Sequence, residues 1–150
     1  GRPAELALPV LCSDWQQLEA LVALPLAHRT RLSRIWPAAL TVVLPCRRPL
    51  AAAPAGTLAV RIPAHAMLRA VLYRSGPLTG TSANRHGMPP CVDPDEALAS
   101  LLSSPDLVLD GGRTPGGVPS TLVDLSGAEP RVLREGALRW EEPYPWDWLG

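Results

Sequence analysis

The sequence contains no lysine and no phenylalanine, only two isoleucines, Ile35 and Ile62, and a single asparagine, Asn84. Each of its 14 basic side chains is therefore an arginine, a forked and permanently charged donor suited to carboxylate or phosphate. The same skew suggests a GC-rich genome. Long apolar runs are missing as well, each being broken by Arg, Asp or Pro short of the ~18 residues that a membrane span needs. Gly1-Arg2-Pro3 does not open a charged and then apolar leader, so a cytoplasmic protein with no membrane partner is expected. Charge excess is absent, 14 Lys+Arg facing 14 Asp+Glu. No global field therefore draws the chain to nucleic acid or an anionic surface, and only a local patch could. Cys12, Cys46 and Cys91 are too few and too widely spaced for a disulfide framework or a zinc site. They read as reduced, mostly buried small hydrophobes. His28, His65 and His86 share no metal-ligand spacing, so no metal site is expected from them.

What is present is enough for one ordinary domain of about 100 to 200 residues. The 18 prolines and 12 glycines stay below the low-complexity range of about 25% of a chain, so the domain is turn-rich and globular. An apolar run at residues 6–11 predicts a buried strand. Ser13-Asp14-Trp15-Gln16 has capping-box spacing ahead of a helix over 14–24. A second helical pattern covers 27–35, ended by Trp36-Pro37. Residues 39–44 and 57–62 are β-rich and could pair as a long-looped hairpin. A helix over 64–74 should close at Gly76, followed by a short strand at 78–81. A helix over 93–103 has Pro94 in its first turn. Short strands at 107–109, 121–125 and 131–133 complete an alternation that implies an α/β sandwich.

Three segments place polar residues where a strand ends, the usual place for ligands in open α/β sheets. Arg61 lies in an otherwise apolar strand, so its guanidinium is either at an edge facing water or held against an anion. Gly80-Thr81-Ser82-Ala83-Asn84, with Gly87 after it, offers small donors after a strand. It is either an Asx-type turn or an anion-approaching loop. It is not a Gly-x-x-x-x-Gly-Lys-Ser phosphate loop. Gly111-Gly112-Arg113 to Ser120 is a glycine-rich loop arriving at a hydroxyl. No Gly-x-Ser-x-Gly elbow exists, and Ser82 has no evident base. Arg29, Arg31 and Arg34 form either a solvated helix face or a small RNA-contacting patch.

Taken in order, four stretches resemble the YrdC-like threonylcarbamoyl-AMP synthases of the short bacterial type: Trp36-Pro37-Ala38-Ala39-Leu40-Thr41-Val42-Val43-Leu44; Ala59-Val60-Arg61-Ile62-Pro63 with His65; Gly76-Pro77-Leu78 running into Thr81-Ser82-Ala83-Asn84 and Gly87; and Pro119-Ser120-Thr121-Leu122-Val123-Asp124 with Leu133-Arg134-Glu135-Gly136. The resemblance implies a twisted mixed α/β sheet with flanking helices over residues 1–136, followed by a Trp/Pro-rich tail at 137–150 lying against the domain. It implies an enzyme, a nucleotidyltransferase joining L-threonine, bicarbonate or CO2, and ATP into threonylcarbamoyl-AMP and pyrophosphate, with Mg2+. This is the first step of threonylcarbamoyladenosine formation in tRNA, with tRNA or a tRNA-modifying complex as a further partner. Gly1-Arg2-Pro3 looks like the end of the family's Lys-Gly-Arg-Pro segment, which implies that the domain's N-terminal segment is missing and activity impaired. Leu6 and Leu11 stand where longer members carry Asn and His.

Carried over position by position, Arg2 contacts ATP phosphates, and Arg61 and Ser120 hold the threonine carboxylate or its carbamate. Arg2 and Arg61 are the catalytic candidates. Gly80 shapes the threonine pocket through its backbone. Thr57, Ser82 and Arg134 bind ATP, and Asn84 orients its loop at the same ligand. The alternative from another class is a non-catalytic nucleotide- or RNA-binding module of the same fold, in which Arg29, Arg31, Arg34, Arg47 and Arg48 contact phosphate.

Overall fold

The computed structural model describes residues 8–51, 53, 55–84, 87–114 and 117–141. The chain forms two compact units, residues 1–80 with 119–150, and residues 81–118.

The first unit is built on a six-stranded mixed sheet. Its strands are β1 (Val10–Leu11), β2 (Leu40–Pro45), β3 (Thr57–Arg61), β4 (Leu78–Thr79), β5 (Thr121–Asp124) and β6 (Arg131–Arg134), in the spatial order β4-β1-β3-β2-β5-β6. β2 and β3 pair antiparallel, as the hairpin reading expected, with Val42 opposite Val60 and Pro45 opposite Thr57. β1 runs parallel to β3 and β5 parallel to β2, whereas β4 and β6 close the two edges antiparallel.

Because side chains alternate along a strand, this register sorts the residues onto two faces. Leu40, Val42, Leu44, Leu58, Val60 and Val123 share one face and are all fully buried. Helices α1 (Trp15–Leu21) and α2 (Leu26–Ser33) add Leu18 and Leu32 to that core, with Val22 at the end of α1. Each such side chain contributes roughly 1.5–3 kcal/mol by leaving water, so this face holds the sheet together. Thr41, Val43, Thr57, Ala59 and Arg61 occupy the opposite face by the same register.

Helix α1 starts one residue later than the capping-box spacing suggests. The cap is Asp14, whose carboxylate accepts the Gln17 N–H at 2.9 Å, while the Gln17 side chain accepts the Ser13 N–H at 3.0 Å. A carboxylate thus replaces the serine hydroxyl as the capping acceptor, and the return bond goes to the residue before the cap, Ser13, instead of to the cap itself. Helix α3 (Ala66–Ser75) is capped by His65, whose Nδ1 accepts the Leu68 N–H at 3.2 Å, and stops at Gly76 with φ of 82°. Cys12 is fully buried, Cys46 and Cys91 are half-buried, and all three are free thiols.

Residue Trp140, expected to lie against the surface, joins the core at 8% exposure. The Arg31 guanidinium stacks on its ring at 3.9 Å and donates to the Glu141 carbonyl at 2.8 Å.

The second unit carries α4 (Pro94–Ser100), with Asp93 accepting the Glu96 N–H at 2.9 Å and Glu96 accepting the Val92 N–H at 3.2 Å. The strand expected at residues 107–109 does not form. Leu107 and Leu109 are 73% and 58% exposed and belong to no strand. A three-residue apolar run lacks the alternation that would have distinguished a half-buried strand. Among the described residues, no helix is long and apolar enough to cross a membrane.

Candidate functional site

Arg61 is the last residue of β3 and lies on the face opposite the core. Its Nε donates to the Ala38 carbonyl at 3.1 Å, which anchors the stem and leaves the remaining guanidinium N–H groups for another acceptor. Partial burial lowers its pKa, and the nearby Arg134 charge lowers it further. Both causes say the same thing: the positive charge at Arg61 is under-compensated.

Ser120 arrives at the same end of the sheet as Arg61 because β5 pairs parallel with β2 and β3 antiparallel to it. Thr121 N donates to the Ala39 carbonyl at 3.0 Å, one residue beyond the Ala38 carbonyl that anchors Arg61. The Ser120 hydroxyl lies 2.9 Å from the Thr41 hydroxyl. Arg134, at the end of β6, folds back over the same residue. Its Nε and Nη2 donate to the Ser120 carbonyl at 3.1 and 2.8 Å, and Nη2 reaches the Ser120 hydroxyl at 3.2 Å.

The turn after β6 makes this approach possible. A Cβ at Gly136 would come within 2.4 Å of the Pro119 carbonyl oxygen and of the Thr121 nitrogen, so only glycine lets this backbone lie on the Ser120 loop. The next residues stitch the two segments together. Ala137 N donates to the Pro119 carbonyl at 2.9 Å, Leu138 N donates to Thr121 Oγ1 at 3.1 Å, and the Thr121 hydroxyl donates to the Leu138 carbonyl.

Three of the sequence-derived site residues, Arg61, Ser120 and Arg134, thus converge at one end of the sheet. Arg61 and Arg134 take part in none of the ion pairs Arg29–Glu19, Arg113–Asp93 and Arg139–Glu141. Such a group can hold a carboxylate, carbamate or phosphate. Ser120 is bonded to Thr41 and Arg134, neither of them a base, so it reads as a binding donor and not as an activated nucleophile.

Thr57 shares the face of Arg61 but sits at the other end of β3, opposite Pro45, about 13 Å away at ~3.3 Å per residue. Gly80 ends β4's segment, its N–H donating to the Pro9 carbonyl at 2.8 Å. A Cβ there would meet Leu11 Cδ1 at 3.0 Å, so the Leu11 side chain lies against its bare Cα. Ser82 and Asn84 belong to the second unit, where Asn84 Nδ2 donates to the Met88 carbonyl at 2.7 Å and closes the loop. Arg2 lies outside the described residues.

Two contributors escaped the sequence reading. Thr41 was one letter in an apolar strand, and its being the only hydroxyl there was the available signal. Gly136 closed the stretch Leu133-Arg134-Glu135-Gly136 of the resemblance, but nothing local showed that its bare Cα meets the Ser120 loop. The arginines of α2 point the other way, being engaged within the fold. Arg29 stacks on Trp15 at 3.6 Å and pairs with Glu19, and Arg31 is held by Trp140. This weakens the phosphate-patch reading of the helix. Among the described residues, no group of three or more His, Cys, Asp or Glu side chains is placed to hold a metal ion.

Comparison with known proteins places these features in a wider set. A family model, Sua5_yciO_yrdC, described as telomere recombination, matches residues 1–136. A Mycobacterium tuberculosis relative is 35% identical over 145 residues, covering 94% of this chain and 67% of its own length. The threonylcarbamoyl-AMP synthase of Bacillus subtilis is 34% identical over 148 residues, covering 95% of this chain and 43% of the relative. The crystal structure of P. abyssi Sua5 complexed with L-threonine superposes with a TM-score of 0.83 at 33% identity, over 92% of this chain and 42% of that one. The chain therefore spans less than half the length of the latter two proteins.

Proposed function

The chain belongs to the Sua5_yciO_yrdC family, and we propose on that footing that it carries the substrate-binding core of an L-threonylcarbamoyladenylate synthase, a nucleotidyltransferase acting for tRNA threonylcarbamoyladenosine. The observation that carries this reading is the gathering of Arg61, Ser120 and Arg134 at one end of the sheet, with Arg134 bonded to Ser120 and the Arg61 stem anchored on the Ala38 carbonyl. That arrangement suits an α-amino acid carboxylate or its N-carbamate better than a neutral ligand. The likeness to a Sua5 complexed with L-threonine supports the same ligand class.

In the proposed reaction the threonine amine adds to CO2, giving a carbamate and releasing a proton. A carbamate oxygen attacks the α-phosphorus of ATP, the bond to the β-phosphate oxygen breaks, and pyrophosphate leaves. Arg61 and the Ser120 hydroxyl hold the threonine carboxylate or carbamate. Arg134 faces the developing negative charge on the phosphoryl oxygens, and Thr57 is an ATP contact farther along the same sheet face. Arg2, Ser82, Asn84 and Gly80 keep the roles the resemblance implies. Fixing two anions in line removes much of the entropic barrier, and prearranged cations stabilise the charge that builds up. No covalent intermediate on the protein is needed. The described residues do not fit a resident Mg2+ site, so we assign magnesium to the triphosphate as part of the substrate and derive no step through it.

The test is pyrophosphate release by the full-length protein, with ATP, L-threonine and bicarbonate supplied together and then one at a time withheld. Release that depends on both L-threonine and bicarbonate is expected, and Arg61→Ala should abolish it while the protein stays folded. Release independent of threonine, or normal turnover by Arg61→Ala, would overturn the reading. Against the binding-module alternative, tRNA affinity should show little of the steep salt dependence that many phosphate contacts produce.

A further inference from the structure

Thr41 is one of the few buried polar residues, 4% exposed, on a strand whose neighbours Leu40 and Val42 are fully buried. A hydroxyl at such a position is unfavourable unless it is hydrogen-bonded, and the partner of Thr41 Oγ1 is the Ser120 hydroxyl at 2.9 Å. The direction of that bond decides what Ser120 can do. A serine hydroxyl has one proton and two lone pairs, and a guanidinium can only donate. The Nη2 of Arg134 therefore occupies one lone pair of Ser120, at 3.2 Å.

Two arrangements remain. If Ser120 donates to Thr41, its proton is used internally, and it turns only a lone pair toward the site, which repels an anion. If Thr41 donates to Ser120, both lone pairs are filled, and the Ser120 proton is the one group left to offer. An anion drawn in by Arg61 selects the second arrangement, because only then do all three groups favour it. We propose that Thr41 is a positioning residue that, together with Arg134, holds the Ser120 hydroxyl as an outward donor to the carboxylate or carbamate oxygen. This rests on the threonine reading of the site and adds to it a residue 79 positions away in sequence from the one it orients.

The experiment is a double-mutant cycle read by isothermal titration of the full-length protein with L-threonine. Thr41→Val keeps the shape and removes the hydroxyl. It should weaken threonine binding by about three- to tenfold, the range for one hydrogen bond. Thr41→Ser should restore wild-type affinity. In a Ser120→Ala background, Thr41→Val should have no further effect, since the group it orients is gone. Should Thr41→Val fail to fold, Thr41→Cys, with a weaker donor of similar size, carries the same test with a smaller loss. Unchanged affinity in the Thr41 variant beside a clear loss in Arg61→Ala and Ser120→Ala would overturn the positioning role alone. An equal loss in both serine and alanine backgrounds would overturn it too, because that marks a merely structural effect. Wild-type protein that binds no threonine, or that loses nothing in Arg61→Ala and Ser120→Ala, overturns the site reading and the positioning role with it.

Discussion

Replacing Gly136 by alanine should disturb Ser120 without altering any side chain of the site. The added Cβ would lie 2.4 Å from both the Pro119 carbonyl oxygen and the Thr121 nitrogen, and 2.5 Å from the Ser120 carbonyl carbon. Ordinary contact begins at 3.4 Å, so about 1 Å must open against three backbone atoms. None of them is the end of a flexible side chain, and the backbone is tied down on both sides. Ala137 N holds the Pro119 carbonyl, Leu138 is bonded to Thr121, and Thr121 N is fixed to Ala39 of the sheet. Overpacking of this kind costs about 1–3 kcal/mol, offset by the roughly 0.4–1 kcal/mol that alanine gives back by restricting the unfolded chain. A net loss of about 1–2 kcal/mol is expected, read as a lower urea midpoint with an unchanged slope. The displaced loop should also weaken L-threonine binding. Gly76→Ala supplies the contrast. Its φ of 82° strains a side chain although nothing lies within 4 Å, so it should cost stability, about 1–3 kcal/mol, and leave threonine affinity alone. A Gly136→Ala protein as stable and as tightly binding as wild type would refute the close-approach argument.

Two substitutions and one labelling experiment test separate parts of the fold. Asp14→Ala removes the α1 cap and should cost about 1 kcal/mol. The Gln17 N–H first, and then the Ser13 hydroxyl, hold the Asp14 carboxyl below its usual range, so the cap contribution is complete above the unfolded value near ~3.9 and fades as pH falls through the lower folded value. The difference in urea midpoint between the two proteins should therefore be flat from neutral pH to about 5 and close in stronger acid; a gap that widens in acid contradicts it. Cys12, its pKa pushed up to about 12 by burial and then by Asp14, should resist alkylation of the native protein at pH 8 while the half-buried Cys46 and Cys91 react first. Mass-spectrometric mapping that finds Cys12 labelled earliest would contradict its burial. Trp140→Ala removes a ring that is 8% exposed and unstacks Arg31, so unfolding should be easier by about 3 kcal/mol or more; a loss under about 1 kcal/mol would mean that the ring is not docked.

The sheet centre was legible in the sequence because β2 and β3 follow rules that act over a few residues. Each is a run of β-rich residues, 39–44 and 57–62, on either side of a Pro- and Ala-rich loop. The cap of α1 was legible only to within one residue, since Ser13 and Asp14 are adjacent and both can accept. Arg61 and Ser120 stood out as polar groups at strand ends, which is local information too. Their company did not. The Thr41–Ser120 contact joins strands far apart in sequence, and the need for glycine at 136 arises only where one backbone lies on another. Arg29 and Arg31 were ambiguous for the same reason. A helix face of arginines looks alike whether it meets solvent, phosphate or tryptophan, and the rings that engage them, Trp15 and Trp140, are set in place by tertiary packing.

Having only arginine for its cations, the chain uses one side chain in two ways, and the surroundings decide which. Arg29 and Arg31 lie over aromatic rings, where the delocalised cation is stabilised by the ring face, and Glu19 accepts from Arg29 while the Glu141 carbonyl accepts from Arg31. Arg61 is partly buried with the Arg134 charge nearby, so that burial first and then repulsion by Arg134 disfavour its charge. Arginine does not escape by losing its proton, so the cost stays in the folded protein, and an anion held by Arg61 as proposed would relieve it. A lysine at position 61 could lower its own charge instead and would offer no planar fork. The burial that disfavours the Arg61 charge is therefore the feature that would favour a two-oxygen anion in the proposed site. Its binding should raise the stability of the whole fold in proportion to the logarithm of ligand concentration.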